Sequence, residues 1–246
     1  MSKTIDFLPM NVPTVRARVL GKEDRELYKE VKAKAKEKFG EKSRAYQTTI
    51  YGIDTENVTG SQFFWNNEVE LYLPKDQRIM NLEDLGGIYN KDSNFFSGHY
   101  ADTTPLCLRT KTPSGENNKQ ILGYLERQLK GEKINGAPIE FDSENPILIS
   151  GLEKIKDSNS NNFYGIKLKI GNDTKIVYNK DFASSKNKIK FGNVEKDLLT
   201  KKDGLSGVYA GDVLYVGSSD DYLRYSDGDG WVVVYMGVVK DKSKSL

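Results

Sequence analysis

Cysteine and histidine are almost absent: Cys107 and His99 are the only ones in 246 residues. One cysteine excludes an intramolecular disulfide framework and a cysteine-ligated zinc site, and one histidine excludes a multi-histidine metal centre. No apolar run approaches the roughly 18 residues that a membrane-spanning helix needs. The opening Met1-Ser2-Lys3-Thr4-Ile5-Asp6-Phe7-Leu8-Pro9-Met10 has too short an apolar stretch for a secretory signal. Charge of one sign is missing too. With 37 basic and 35 acidic residues the net charge is +2, which excludes a strongly cationic nucleic-acid-coating protein. No linker or low-complexity tract divides the chain, so one domain spanning residues 1–246 is the simplest expectation. At 37% hydrophobic and 29% charged residues it can bury a real core. The expected product is a soluble protein with no signal peptide and no transmembrane segment. Its final location stays open between the cytoplasm and display on a cell or virion surface.

A further absence is local. Gly207–Gly230, GVYAGDVLYVGSSDDYLRYSDGDG, contains no Lys, Glu, Gln, Met or Trp, although Lys and Glu crowd the rest of the chain. Replacing the adenines of an asparagine codon by any base, with its third pyrimidine kept, reaches Tyr, Asp, Ser, Gly, Arg, Val, Leu and Ala. It never reaches those five residues or a stop. Asp92–Thr110 also contains none of the five. The physical character of Gly207–Gly230 points the same way. Tyrosine gives a large, rigid, half-polar contact surface at small entropic cost, and Ser, Gly and Asp add adaptable hydrogen bonding, the mixture used in antibody loops. At once there follows the apolar Trp231-Val232-Val233-Val234-Tyr235, which reads as a buried strand able to anchor a contact surface.

Hydrophobic periodicity supplies the elements. Val12–Leu20 alternates as a strand with Val15, Ala17 and Val19 on one face and Arg16 and Arg18 on the other. Lys22–Phe39 reads as a helix through Leu27, Val31, Ala35 and Phe39, stopped by Gly40; its Lys and Glu residues form a solvated face. Ala45–Asp54 and Val69–Leu73 read as strands, with Asn66-Asn67 turn-prone after Phe63-Phe64-Trp65, and Gly86–Thr110 as a long ordered loop extended over Leu106–Arg109. Asn117–Lys130 reads as a second helix with Ile121, Leu122, Tyr124, Leu125 and Leu129 on one face. Phe163–Ile170 and Thr174–Tyr178 read as a hairpin about Gly171-Asn172-Asp173, and Ile189–Phe191, Val208–Val216 and Gly230–Val239 as further strands. Two helices early and strands late give an α+β class.

The C-terminal position, the Tyr/Asp/Ser/Gly-rich block and its closing Gly230-Trp231-Val232-Val233-Val234-Tyr235 together resemble the variable proteins of diversity-generating retroelements. The chain is most similar to archaeal and viral members. That resemblance implies a C-type lectin fold of the formylglycine-generating-enzyme type, with two helices packed on β-sheets and the variable surface near the C-terminal strands. It implies a non-catalytic ligand-binding display protein, its 207–230 region rewritten by adenine-directed mutagenic retrohoming. The expected variable contacts are Tyr209, Asp212, Tyr215, Ser218, Ser219, Asp220, Asp221, Tyr222, Arg224, Tyr225, Ser226, Asp227 and Asp229, and the expected scaffold is Trp231, Val232, Val233 and Val234. A protein or cell-surface ligand is the expected partner, with no cofactor. With one cysteine the copper-binding pair of the formylglycine enzymes is impossible, so that activity is not implied.

Four other readings stand beside this one. Gly211-Asp212 and Asp227-Gly228-Asp229-Gly230 are turn formers in any pair of hairpins. Asp220, Asp221, Asp227 and Asp229 could gather round calcium, but an EF-hand loop ending its turn at Gly230 would need a ligand where Tyr225 stands. A single-stranded nucleic-acid module could use the Lys-rich strands of 163–191: Lys167 and Lys169 on one face, Lys186, Lys188 and Lys190 on another, and Phe163 for stacking. An enzyme would need His99 and Cys107 brought together as base and nucleophile. Cys107 in Pro105-Leu106-Cys107-Leu108 reads instead as a small buried apolar residue, and His99 as a loop or packing residue.

Overall fold

In the computed structural model the described residues are 4–7, 15–108, 122–123, 125, 127, 129, 133–134, 137–138, 147–149, 152–156, 164–168, 176–178, 188–191, 194–197, 205–211, 215–219, 223 and 226–236. The chain is mixed α+β. It opens with strands β1 (Thr4–Phe7) and β2 (Val15–Val19), then helices α1 (Arg25–Phe39), α2 (Arg44–Thr49) and α3 (Phe63–Glu70). Strand β3 (Gln77–Ile79), helix α4 (Leu82–Lys91) and the long strand β4 (Tyr100–Leu108) follow. Leu122, Gly123, Leu125, Arg127 and Leu129 are helical, within the helix expected over Asn117–Lys130. The remaining strands are β5 (Lys133–Ile134), β6 (Ala137–Pro138), β7 (Ile147–Ile149), β8 (Leu152–Lys156), β9 (Tyr164–Leu168), β10 (Ile176–Tyr178), β11 (Lys188–Phe191), β12 (Val194–Asp197), β13 (Leu205–Gly211), β14 (Tyr215–Ser219) and β15 (Val233–Met236).

Two antiparallel sheets organise the core, one in the order β1-β2-β15-β3 and the other β10-β7-β4-β13-β14. The last strand therefore lies between two early ones, Val233 opposite Val19 and Val234 opposite both Arg18 and Ile79. As expected from the alternation, Ala17 and Val19 are buried, while Arg18 turns outward and grips Asp24 with two hydrogen bonds of 2.7 and 2.8 Å. Val232, Val233 and Val234 are all buried. Each such valine contributes about 1.5–3 kcal/mol by leaving water. Trp231 is half-buried and packs against the cluster that holds Val233, while Val232 and Val234 belong to a second cluster with Trp65 and Tyr28.

Helix α1 is close to its sequence expectation. Val31, Ala35 and Phe39 are buried and Gly40 caps it at φ 81°, in the left-handed region that glycine enters without a steric penalty. Tyr28 completes the buried stripe and meets Trp65 edge to face at 5.0 Å, while Leu27 is only half-buried.

The structure corrects several element assignments, and for the helices side chains bonded to backbone explain why. Ala45–Asp54 is not a strand: Ser43 caps α2 by accepting from the Tyr46 N–H at 3.1 Å. Thr48 and Thr49 return their hydroxyls to the Arg44 and Ala45 carbonyls at 2.7 and 2.9 Å, which makes β-branched residues compatible with a helix. Asn66-Asn67 is no turn and Val69–Leu73 no strand, because α3 runs through to Glu70. Asn66 is buried on that helix and donates to the Asp102 carbonyl at 2.7 Å, a cross-link that a polar dipeptide does not advertise. Gly86–Thr110 is not one loop. Asn81 and Asp84 form a capping box that starts α4, and β4 occupies its second half. Phe163–Ile170 and Thr174–Tyr178 do not pair with each other: β9 pairs with β8, and β10 with β7. The strand expected over Val208–Val216 is two, β13 and β14, paired with Gly211 opposite Tyr215.

Strand β4 is irregular where it matters. Between Gly207 and Tyr209 the register with β13 shifts from Leu106 to Asp102, a bulge that contains Pro105, which has no N–H to donate. Thr103 compensates by donating its hydroxyl to the Val208 carbonyl at 2.7 Å. The bulge sets the end of β4 from Tyr100 to Asp102 against Tyr209, Ala210 and Gly211.

Candidate functional site

Close backbone approaches fix the end of the Tyr/Asp/Ser/Gly block. Gly230 bridges Tyr100 in parallel and accepts the Gly60 N–H at 2.9 Å. A Cβ at Gly230 would stand 2.5 Å from the Ser61 nitrogen and 2.8 Å from the Tyr100 hydroxyl, so only glycine fits without movement. On the other side Ser226 is buried and donates to the Gly52 carbonyl at 3.3 Å. Gly52 and Gly60 both have positive φ, 70° and 95°, with no room for a side chain against Ser226. Tyr100 ties the two ends together: its hydroxyl donates to the Ser61 carbonyl at 3.2 Å and accepts the Asp227 N–H at 3.1 Å. Burial, ahead of the neighbouring Asp102 charge, raises its pKa far above that of an ordinary phenol. It is thus a neutral hydrogen-bonding post at physiological pH.

From this knot rises an open cleft of about 370 Å³. Gly98, His99 and Tyr100 form one wall, Tyr209 and Gly211 of β13 another, and Asp227 and Asp229 the rim. The Tyr100 and Tyr209 rings meet edge to face at 6.1 Å. His99 stacks on Trp231 at 3.8 Å, which carries the cleft wall onto the core. Asp227 accepts the Asp229 N–H at 3.0 Å through Oδ1, holding the rim as a tight turn. Asp229 is exposed and Asp227 half-exposed, and among the described residues neither forms an ion pair.

Behind the wall lies Asp102, buried between β4, β13 and α3. Its backbone N–H donates to Ser61 Oγ at 2.9 Å. Oδ2 of its carboxyl has no hydrogen-bond partner among the described residues. Desolvation pushes its pKa well above the ordinary carboxylate range; a hydrogen bond with Ser61 opposes this, and the nearby Asp227 charge adds to it.

The expected contact residues divide. Tyr209, Asp227 and Asp229 come together in the cleft. Tyr215, Ser218 and Ser219 are placed on β14, beside β13, in register with Gly211, Val208 and Gly207. Asp212, Asp220, Asp221, Tyr222, Arg224 and Tyr225 lie outside the described residues. Ser226 is a correction, since it is buried and bonded to Gly52 and therefore belongs to the anchor. Val208, Ala210 and Leu223, inside the same block, are core as well. Sequence reasoning missed Gly98, His99 and Tyr100 as cleft residues. Their signal was the second stretch free of Lys, Glu, Gln, Met and Trp, Asp92–Thr110, which contains all three.

Other expectations meet the geometry as follows. His99 immediately precedes β4 and Cys107 lies near the far end of that strand, roughly 25 Å away at strand rise, so they form no nucleophile–base pair. Cys107 is buried in the core, as its apolar neighbours suggested. No group of three or more metal-ligating side chains occurs among the described residues. Register places Glu153 opposite Lys167, Asp197 opposite Lys188 and Glu195 opposite Lys190. Phe163, Lys169 and Lys186 fall outside the described residues. No helix among the described residues is long and apolar enough to cross a membrane. A scan against protein-family models and searches of curated proteins and of solved structures each found no match to this chain.

Proposed function

We propose that this chain is a non-catalytic ligand-binding display protein: a C-type-lectin-like scaffold whose segment 207–230 is a diversified contact surface written by a retroelement. The observation that carries the reading is the cleft. Tyr209, Asp227 and Asp229, singled out by residue alphabet alone, meet in one accessible hollow. The residues interleaved with them, Val208, Ala210, Leu223 and Ser226, are buried. A surface that can be rewritten needs this division, because contacts are useful only when a rigid support holds their geometry. The lectin-like scaffold is supported by the α+β layout, in which the C-terminal strand β15 returns to pair beside the N-terminal β2.

The DNA around the gene tests the proposal. A near-copy of its 3′ end is expected beside a reverse-transcriptase gene, with adenines in the copy wherever the two differ. Mismatches should fall at codons such as those of Tyr209 and Asp229 and spare those of Val233 and Gly230. Sister genes differing evenly along their length, with no such copy, would refute it.

A further inference from the structure

The composition of the cleft specifies a ligand chemistry. Its rim carries two carboxylates, Asp227 and Asp229; its walls carry two phenol rings, Tyr100 and Tyr209; and among the described residues no lysine or arginine lines it. The whole chain is slightly basic, so this acidity is local and not a reflection of overall charge. Only Oδ1 of Asp227 is engaged by the rim turn, and among the described residues no basic side chain pairs with either carboxylate. Like charges two residues apart on one turn repel each other, and a bound cation would relieve that repulsion. Aromatic faces attract cations through their quadrupole, and a planar guanidinium suits both a ring face and a carboxylate edge. At about 370 Å³ the hollow is near the small end of the about 300–1,000 Å³ range of ligand pockets, room for one side chain and not for a long oligosaccharide.

We propose that this copy of the protein recognises a protein ligand by seating one of its arginine side chains between the Tyr100–Tyr209 pair and the Asp227–Asp229 rim. The inference rests on the display reading and adds to it the class of group recognised. The full-length chain, labelled with nitrogen-15, is titrated with acetyl-arginine-amide, with the neutral isostere acetyl-citrulline-amide, with acetyl-glutamate-amide and with a methyl glycoside. Saturable shifts are expected for the arginine compound at the amides of Gly98, His99, Tyr100 and Gly211, with Kd on the order of 1–10 mM for so small a probe. Citrulline should bind at least about five-fold more weakly, and Asp229→Asn should weaken arginine binding by about the same factor while leaving shifts elsewhere unchanged, which shows the variant folded. Equal binding of citrulline and arginine, preference for glutamate or glycoside, or no saturable shift would overturn the proposal. Such a failure leaves the display reading standing, because that reading is judged by the DNA copy and not by this probe.

Discussion

Substituting alanine at Gly52 is expected to destabilise the protein by about 3 kcal/mol and to free the segment carrying Asp227 and Asp229. Two causes add. A φ of 70° costs an L-residue roughly 1–2 kcal/mol, and the new Cβ would press on the Ser226 backbone, an overpacking cost of about 1–3 kcal/mol. Gly230→Ala should act without the first cause, since only its Cβ contacts, with the Ser61 nitrogen and the Tyr100 hydroxyl, are prohibitive. Its cost should be smaller, about 2 kcal/mol. Denaturant unfolding monitored by circular dichroism measures both, and amide exchange at Asp227 and Asp229 reports release of the rim. Unchanged midpoints would mean that the knot of Gly52, Gly60, Ser61, Tyr100, Ser226 and Gly230 does not hold the cleft.

Asp102 should make stability fall with rising pH. Its folded-state pKa lies above that of an unfolded aspartate, about 3.9, because burial disfavours the charge. Below that value both states bind the proton and the carboxyl imposes no penalty. As pH rises the unfolded chain ionises while the folded one stays neutral, so stability is lost until the folded-state pKa is passed. The slope is about 1.4 kcal/mol per pH unit across that window. Asp102→Asn keeps the shape and removes the titration. Above about pH 4 the wild-type curve should therefore descend relative to that of the variant. Parallel curves would show that Asp102 is ionised in the folded protein. The carboxyl sits behind the cleft wall near Asp227, so the same titration bears on how much negative charge the site carries.

Those two effects depend on contacts that are distant in sequence, which is where sequence reading was weakest. Helix α1 and strand β2 were legible because one face of each packs on the core and leaves a period of 3.6 or 2 in the residue pattern, and β15 because burial on both faces leaves an unbroken apolar run. Helices α2, α3 and α4 were not, since α2 and α4 start on the side-chain caps Ser43 and Asn81, and α3 is tied to the preceding segment by polar bonds such as Gln62 to the Thr48 carbonyl at 2.8 Å. Propensity counts Asn and Thr against a helix, and buried hydrogen bonds outweigh that preference here. Half of the cleft showed in the same way. The alphabet of Gly207–Gly230 pointed to Tyr209, Asp227 and Asp229, but it could not separate them from Ser226, whose burial depends on two positive-φ glycines far upstream. The opposite wall, Gly98–Tyr100, lies in the second stretch with that restricted alphabet, but what joins it to Tyr209 and Gly211 is the β4–β13 pairing and its bulge, features that exist only in three dimensions.

Substitution tolerance, read position by position, decides whether rim and wall are separable from their support. A library placing Tyr, Asp, Ser, Gly, Asn, Arg, Val, Leu or Ala at Tyr209, Asp227 and Asp229, and in parallel at Gly52, Gly230 and Val233, can be sorted by protease resistance. At Asp229 and Asp227 most substitutions should stay within about 0.5 kcal/mol of the parent. Tyr209 should lose about 1 kcal/mol through its ring contact with Tyr100. Substitutions at the other three should lose about 2 kcal/mol or more, with valine-to-leucine at 233 failing by overpacking. Equal intolerance at both sets would contradict the idea of a rewritable surface on a fixed support.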